Sequence, residues 1–168
     1  FIHKKNAEDE INFKKLIENS EIKSLLNTKA NLVLLWEVCK IPDFQKIFND
    51  NYVNFLKEIF LILIKNNNRI PEDWYGKNIL GLENFQGGIE ELSTKISYIR
   101  TWTYIANHRN WLTNPEYWQE KTHLLENTLS DHLHKSLTNR FIDVSASHFL
   151  NAEIKGIEPK IEINNNRS

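Results

Sequence analysis

Between Gly88 and Leu137 the chain carries two apolar stripes at helical spacing, joined by a short stretch rich in tryptophan. Ile89, Leu92, Ile96, Ile99 and Thr103 recur at steps of three and four, which places them on one face of a helix. Trp118, Leu125, Leu129, Leu133 and Leu137 recur at steps of four and seven and do the same. Asn114-Pro115-Glu116 is a helix start: a capping residue, a proline whose missing N–H costs nothing in the first turn, and an acid behind it. Gln86-Gly87-Gly88 breaks the chain before the first stripe, and the first helix should end near Asn107–Asn110. The pattern predicts a long antiparallel helical hairpin over about 88–138, with the second helix fraying at Thr138–Asn139. Trp102, Tyr104, Trp111, Tyr117 and Trp118 crowd the bend, so the rest of the chain should pack against it.

The upstream sequence is helical in pattern throughout. Residues 7–18 suit a short helix with acids in its first turn, and Ser20 can cap a second one through Leu26. Residues 29–40 are apolar on nearly every side, as a helix at the centre of a domain would be; periodicity alone also allows a buried strand, but Ala30, Leu34, Leu35 and Glu37 favour helix. Pro42 stops it, Asp43 can cap a turn over 43–48 with Phe44, Ile47 and Phe48 inward, and a full amphipathic stripe runs from Asn51 to Lys65. Asn66-Asn67-Asn68 ends that helix. Pro71 opens another, with Trp74, Ile79 and Leu82 toward the core. Beyond the hairpin a short helical turn is expected around Ala146–Leu150. From Ala152 to Ile163 apolar and polar residues alternate around Gly156 and Pro159, which reads as an extended segment. The expected fold is therefore all-α, a multi-helix bundle over 1–150, followed by a tail over 151–168 leading toward a further segment.

Composition narrows the function classes. At 168 residues the chain is one domain, and a net charge of -1 announces no general pull toward nucleic acid or acidic membranes. The longest apolar run, Ile59–Ile64, is far short of the ~20 residues a membrane helix needs. One cysteine, Cys39, excludes an intrachain disulfide and suits a reducing, cytoplasmic compartment. The chain starts at Phe1 and holds no methionine, as expected of a segment of a longer protein.

No catalytic signature is present. Gly87-Gly88 lacks the lysine and spacing of a phosphate loop, and Cys39 lies in the most apolar helix, where it reads as a buried small hydrophobe. His123, His132 and His134 share a helix with Asp131. His132 and His134, two apart, point to different sides, so no metal set is expected there. The bend allows two readings. Its rings can serve packing alone, or Arg100, His108 and Arg109, interleaved with the aromatics, can hold a single strand by phosphate pairing and base stacking. Glu116, Glu120 and Glu126 nearby count against a broad basic platform.

The string KISYIRTWTYIANHRNWLTNPEYWQEKTHLLENTLSDHLHKSLTNRFID, with LLWEVCKIPDF and RIPEDW upstream in the same order, resembles the C-terminal helical region of superfamily 2 RNA helicases of the Suv3 type, familiar from alphaproteobacteria and mitochondria. The resemblance covers roughly Leu32 to Asp143. It implies an accessory domain beside two RecA-like motor domains, which bind ATP and magnesium, hydrolyse the ATP and travel 3′ to 5′ on RNA or an RNA–DNA hybrid. It implies a role in enclosing the strand, with an exoribonuclease as a partner of the mitochondrial relatives, and bacterial cytoplasm as the location. On it, Arg100, His108, Arg109 and Arg140 are the candidate strand contacts. The motor motifs have no counterpart here, so this chain alone should hydrolyse nothing. The relatives' arginine pair after Asp143 is replaced by Val144 and Ser145. The alternative is a helical protein-interaction scaffold that touches no nucleic acid.

Overall fold

The structure is a computed structural model that describes residues 2–44 and 50–154, without the side chains of 2–7. Seven helices make up the described chain: α1 (Ile2–Ile17), α2 (Ser20–Leu25), α3 (Lys29–Cys39), α4 (Asp50–Lys65), α5 (Glu72–Leu80), α6 (Ile89–Asn107) and α7 (Pro115–Ile154). No strand occurs among the described residues, and the fold is an all-α bundle. α6 and α7 form the expected antiparallel hairpin; α1–α4 pack on one another, and α3, α4 and α5 bring Glu37, Phe55, Trp74 and Tyr75 against it.

The core is one cluster that draws on every helix. Leu35, Val38 and Cys39 of α3 meet Leu56, Ile59, Phe60 and Leu63 of α4. Leu92, Ile96, Ile99 and Ile105 of α6 join Leu125 and Leu129 of α7, all buried. Burying each such side chain contributes roughly 1.5–3 kcal/mol, so this stripe-on-stripe contact is the main cohesive term. Apolar surroundings push the Cys39 thiol up to about 12, and the carboxylate of Asp9 adds to the shift.

Local signals explain most boundaries. The asparagine run stops α4 because Asn67 and Asn68 take left-handed backbone, φ 54° and 63°. Asparagine tolerates that region, and the Asn68 N–H then returns 2.7 Å to the Leu63 carbonyl. Thr28 caps α3 by accepting from the Asn31 N–H. The cap of α2 is Asn19, not Ser20: its Oδ1 accepts from Glu21 and Ile22, and Ser20 is the first helical residue. α1 begins at Ile2, so Glu8, Asp9 and Glu10 lie in its middle turns and not at its positive end.

Two further expectations are corrected. α3 is not apolar-buried on all sides: Leu32 and Val33 are 43% and 51% exposed, because its neighbours cover only one face. Phe44 is exposed rather than inward. The remainder of the turn expected over 43–48, with Ile47 and Phe48, lies outside the described residues.

The largest difference is at α7. It does not fray at Thr138 but continues unbroken to Ile154, absorbing Arg140–Asp143, the separate turn expected at 146–150, and Ala152–Ile154 of the expected extended segment. No glycine or proline occurs from Glu116 to Ile154. At the anticipated fray point the Thr138 hydroxyl donates 2.9 Å to the His134 carbonyl, so it follows the helix instead of ending it. The rest of the expected extended stretch, from Lys155 onward, lies outside the described residues.

Candidate nucleic-acid interface

The aromatic residues of the bend divide into two sets. Trp102 is buried, with Phe55, Trp74 and Tyr75 edge-on around it at centroid distances of 5.7, 5.6 and 5.4 Å. Tyr75, fully buried, also meets Trp118 at 5.0 Å and donates its hydroxyl 2.6 Å to the Trp102 carbonyl. Burial pushes this phenol well above its usual range. Trp118 lies against Gly76, where a Cβ would come within 3.0 Å of the indole, and its Nε1 donates 2.8 Å to Glu72. A glycine therefore lets α5 approach the hairpin. These rings are spent on packing, and Tyr117, 58% exposed, is the one exposed ring of the five.

Trp111 belongs to the turn. It is buried, and the His108 imidazole stacks on it at 3.6 Å and 11°. Nδ1 of His108 lies 2.9 Å from the Arg109 carbonyl and Nε2 lies 3.3 Å from Glu37 of α3. Glu37 also takes the Lys40 ammonium at 2.9 Å. The bond from Lys40 holds the Glu37 carboxyl below its usual value; burial opposes this and His108 assists it. His108 thus ties the bend to α3. Its ring is engaged on both nitrogens and on one face, which suits positioning better than strand contact.

The four candidate cations do not converge. Arg140 stands opposite Glu90 near the start of α6, with 3.7 Å between them. Arg100 lies midway along the hairpin and donates Nε 3.0 Å to Glu126. Glu126, and neither Glu116 nor Glu120, is the acid that answers it. His108 and Arg109 lie at the bend, beyond the far end of α6, a helix of 19 residues or about 28 Å. Only Arg109 among the three arginines enters no ion pair among the described residues.

A fifth residue, not singled out in the sequence, joins it. The Ile70 N–H donates 2.7 Å to the Trp111 carbonyl, which lays residues 69–71 beside the bend. Arg69 then donates Nη1 3.1 Å to the Leu112 carbonyl and lines a groove of about 390 Å³ together with Arg109. The only sequence signal for it is the place of Arg69 at the head of RIPEDW, ahead of the proline that opens α5.

The histidines of α7 stand apart from one another. His132 stacks on Phe85 at 5.3 Å, and His123 pairs with Asn127 at 3.3 Å. Among the described residues no three His, Cys, Asp or Glu side chains gather in a way that would hold a metal, and no helix is long and apolar enough to cross a membrane. No family model, curated protein or solved structure matches the chain.

Proposed function

We propose that this chain is an accessory helical domain of an ATP-dependent RNA helicase, which packs on RecA-like motor domains and helps enclose the translocating strand. The observation that carries the reading is the second half of α7. From His134 to Ile154 no residue is buried, yet Leu137, Ile142, Val144, Phe149, Leu150 and Ile154 are between 46% and 82% exposed. At 3.6 residues per turn these side chains recur over roughly two-thirds of the circumference. Exposed apolar side chains spread that widely mark a surface for another body, beside the polar side of Ser136, Arg140, Asp143, Ser147 and Asn151. A single partner helix would cover only one side of it, whereas a neighbouring domain can surround it. ATP binding and hydrolysis belong to the motor, since this chain carries no phosphate loop.

The experiment is reconstitution. The chain is combined with the motor domains of the helicase, and association and RNA-stimulated ATP hydrolysis are followed. Stable association that Ile142→Asp with Leu150→Asp removes supports the reading; failure of the unaltered chain to associate sinks it. The scaffold reading differs on one point, which a gel-shift titration with single-stranded RNA at low and moderate salt decides: it requires no binding at either.

A further inference from the structure

The groove at the α6–α7 bend is acid-free in a chain whose acids outnumber its bases. Its lining includes Arg69, Arg109, Asn107, Asn110, Thr113 and Gln119, and no carboxylate among the described residues. Its walls are held in place. Gln119 donates 3.1 Å to the Ala106 carbonyl, Asn107 donates 2.8 Å to the Thr103 carbonyl, and Arg69 is anchored on Leu112. Asn110 takes left-handed backbone, φ 74°, and so turns the chain immediately after Arg109. The carbonyl of Arg109 is fixed by His108, while its side chain stays exposed and outside any ion pair among the described residues.

We infer that this groove is a phosphate clamp in which Arg69 and Arg109 take the sugar–phosphate backbone of single-stranded RNA. The inference rests on the proposed strand contact and narrows it to one place. Planar guanidinium groups match phosphate oxygens two at a time, and Arg69 keeps further N–H donors after serving Leu112. A volume of about 390 Å³ lies in the range of small-ligand sites and suits a short run of backbone. Trp111 is buried beneath His108, Trp102 is buried, and Trp36, Trp74 and Trp118 are partly buried against the core, so no exposed indole is available to stack bases here. Binding is therefore independent of sequence and strongly dependent on salt. Arg100 and Arg140, each already facing a carboxylate, stand outside the clamp.

The test is fluorescence anisotropy of the full chain with labelled oligouridylate and oligoadenylate across a salt series. Arg109→Gln and Arg69→Gln should each weaken binding several-fold to both sequences. Each should lower the slope of log affinity against log salt by about 0.7, the single-strand value for one phosphate contact. Lys77→Gln, on the exposed side of α5, should leave both quantities unchanged. Because Arg69 also braces the bend, circular dichroism accompanies that variant, and Arg109→Glu supplies an independent arm in which binding is lost. If the unaltered chain binds RNA and the Arg109 variants bind equally well, the clamp is overturned while strand contact elsewhere survives. If the unaltered chain binds no RNA at low salt, both the clamp and the strand-contact reading fall.

Discussion

The two halves of α7 are one continuous helix with opposite fates. Up to Leu133 a stripe of Leu125, Leu129 and Leu133 runs along the side that faces α6, the first two buried, with Tyr117 and Leu124 exposed on other sides. Beyond that point the same side carries Ser136, Arg140, Asp143, Ser147 and Asn151, a polar continuation of the core stripe. The apolar residues move round to the other sides. The change falls where α6 begins, marked by the Glu90–Arg140 pair, after which 14 residues, about 21 Å of helix, stand past the hairpin. The first half is stabilised by its own bundle. The second buries no residue among those described, so its helical form rests on local bonding rather than on the bundle.

The sharpest way to break this comparison is truncation on each side of the change. Leu129→Ala empties a fully buried site and should cost about 2–5 kcal/mol, whereas Leu150→Ala should stay within about 0.5 kcal/mol in the isolated chain. Chemical denaturation of both variants measures the contrast. Equal losses would mean that the second half is packed after all.

A smaller effect tests the anchored end, where α5 meets α7. Tyr75→Phe removes the phenol's bond to the Trp102 carbonyl, which keeps its intrahelical bond, and should cost about 0.5–1.5 kcal/mol. Gly76→Ala offers a companion with an informative sign. In a helix interior alanine is ordinarily favoured over glycine by about 1 kcal/mol. Here the new methyl meets Trp118, which Glu72 and Tyr75 hold in place, so thermal unfolding should shift down rather than up.

The smallest effect is a pH dependence at the bend. The Glu37 carboxyl is lowered in the folded state, so its contribution is present above the unfolded glutamate value and is lost as pH falls through the folded value. Denaturant midpoints should decline more steeply on acidification for the natural chain than for Glu37→Gln. Parallel profiles would remove Glu37 as a tie between α3 and the hairpin.

Much of this architecture was legible in residue order. The hairpin stripes, the Asn114-Pro115-Glu116 start and the asparagine stop of α4 are local, and helical geometry converts such spacing directly into shape. The length of α7 was less legible, because Thr138 and Asn139 are poor helix formers by propensity and only their surroundings decide whether they yield. Of the site, Arg109 was visible as an arginine among aromatics, while Arg69 was not, since 40 positions separate them in the chain.

By itself, then, the sequence determined an all-α chain with a long hairpin and rings crowded at its bend, because periodicity and capping act within a few residues. Tertiary structure alone decided which cations are spent and which are not. Arg100 and Arg140 are matched by acids on the facing helix, and Arg69 is carried to Arg109 by one backbone hydrogen bond between Ile70 and Trp111. Charge pairing depends on distance in space, and spacing along the chain does not report it.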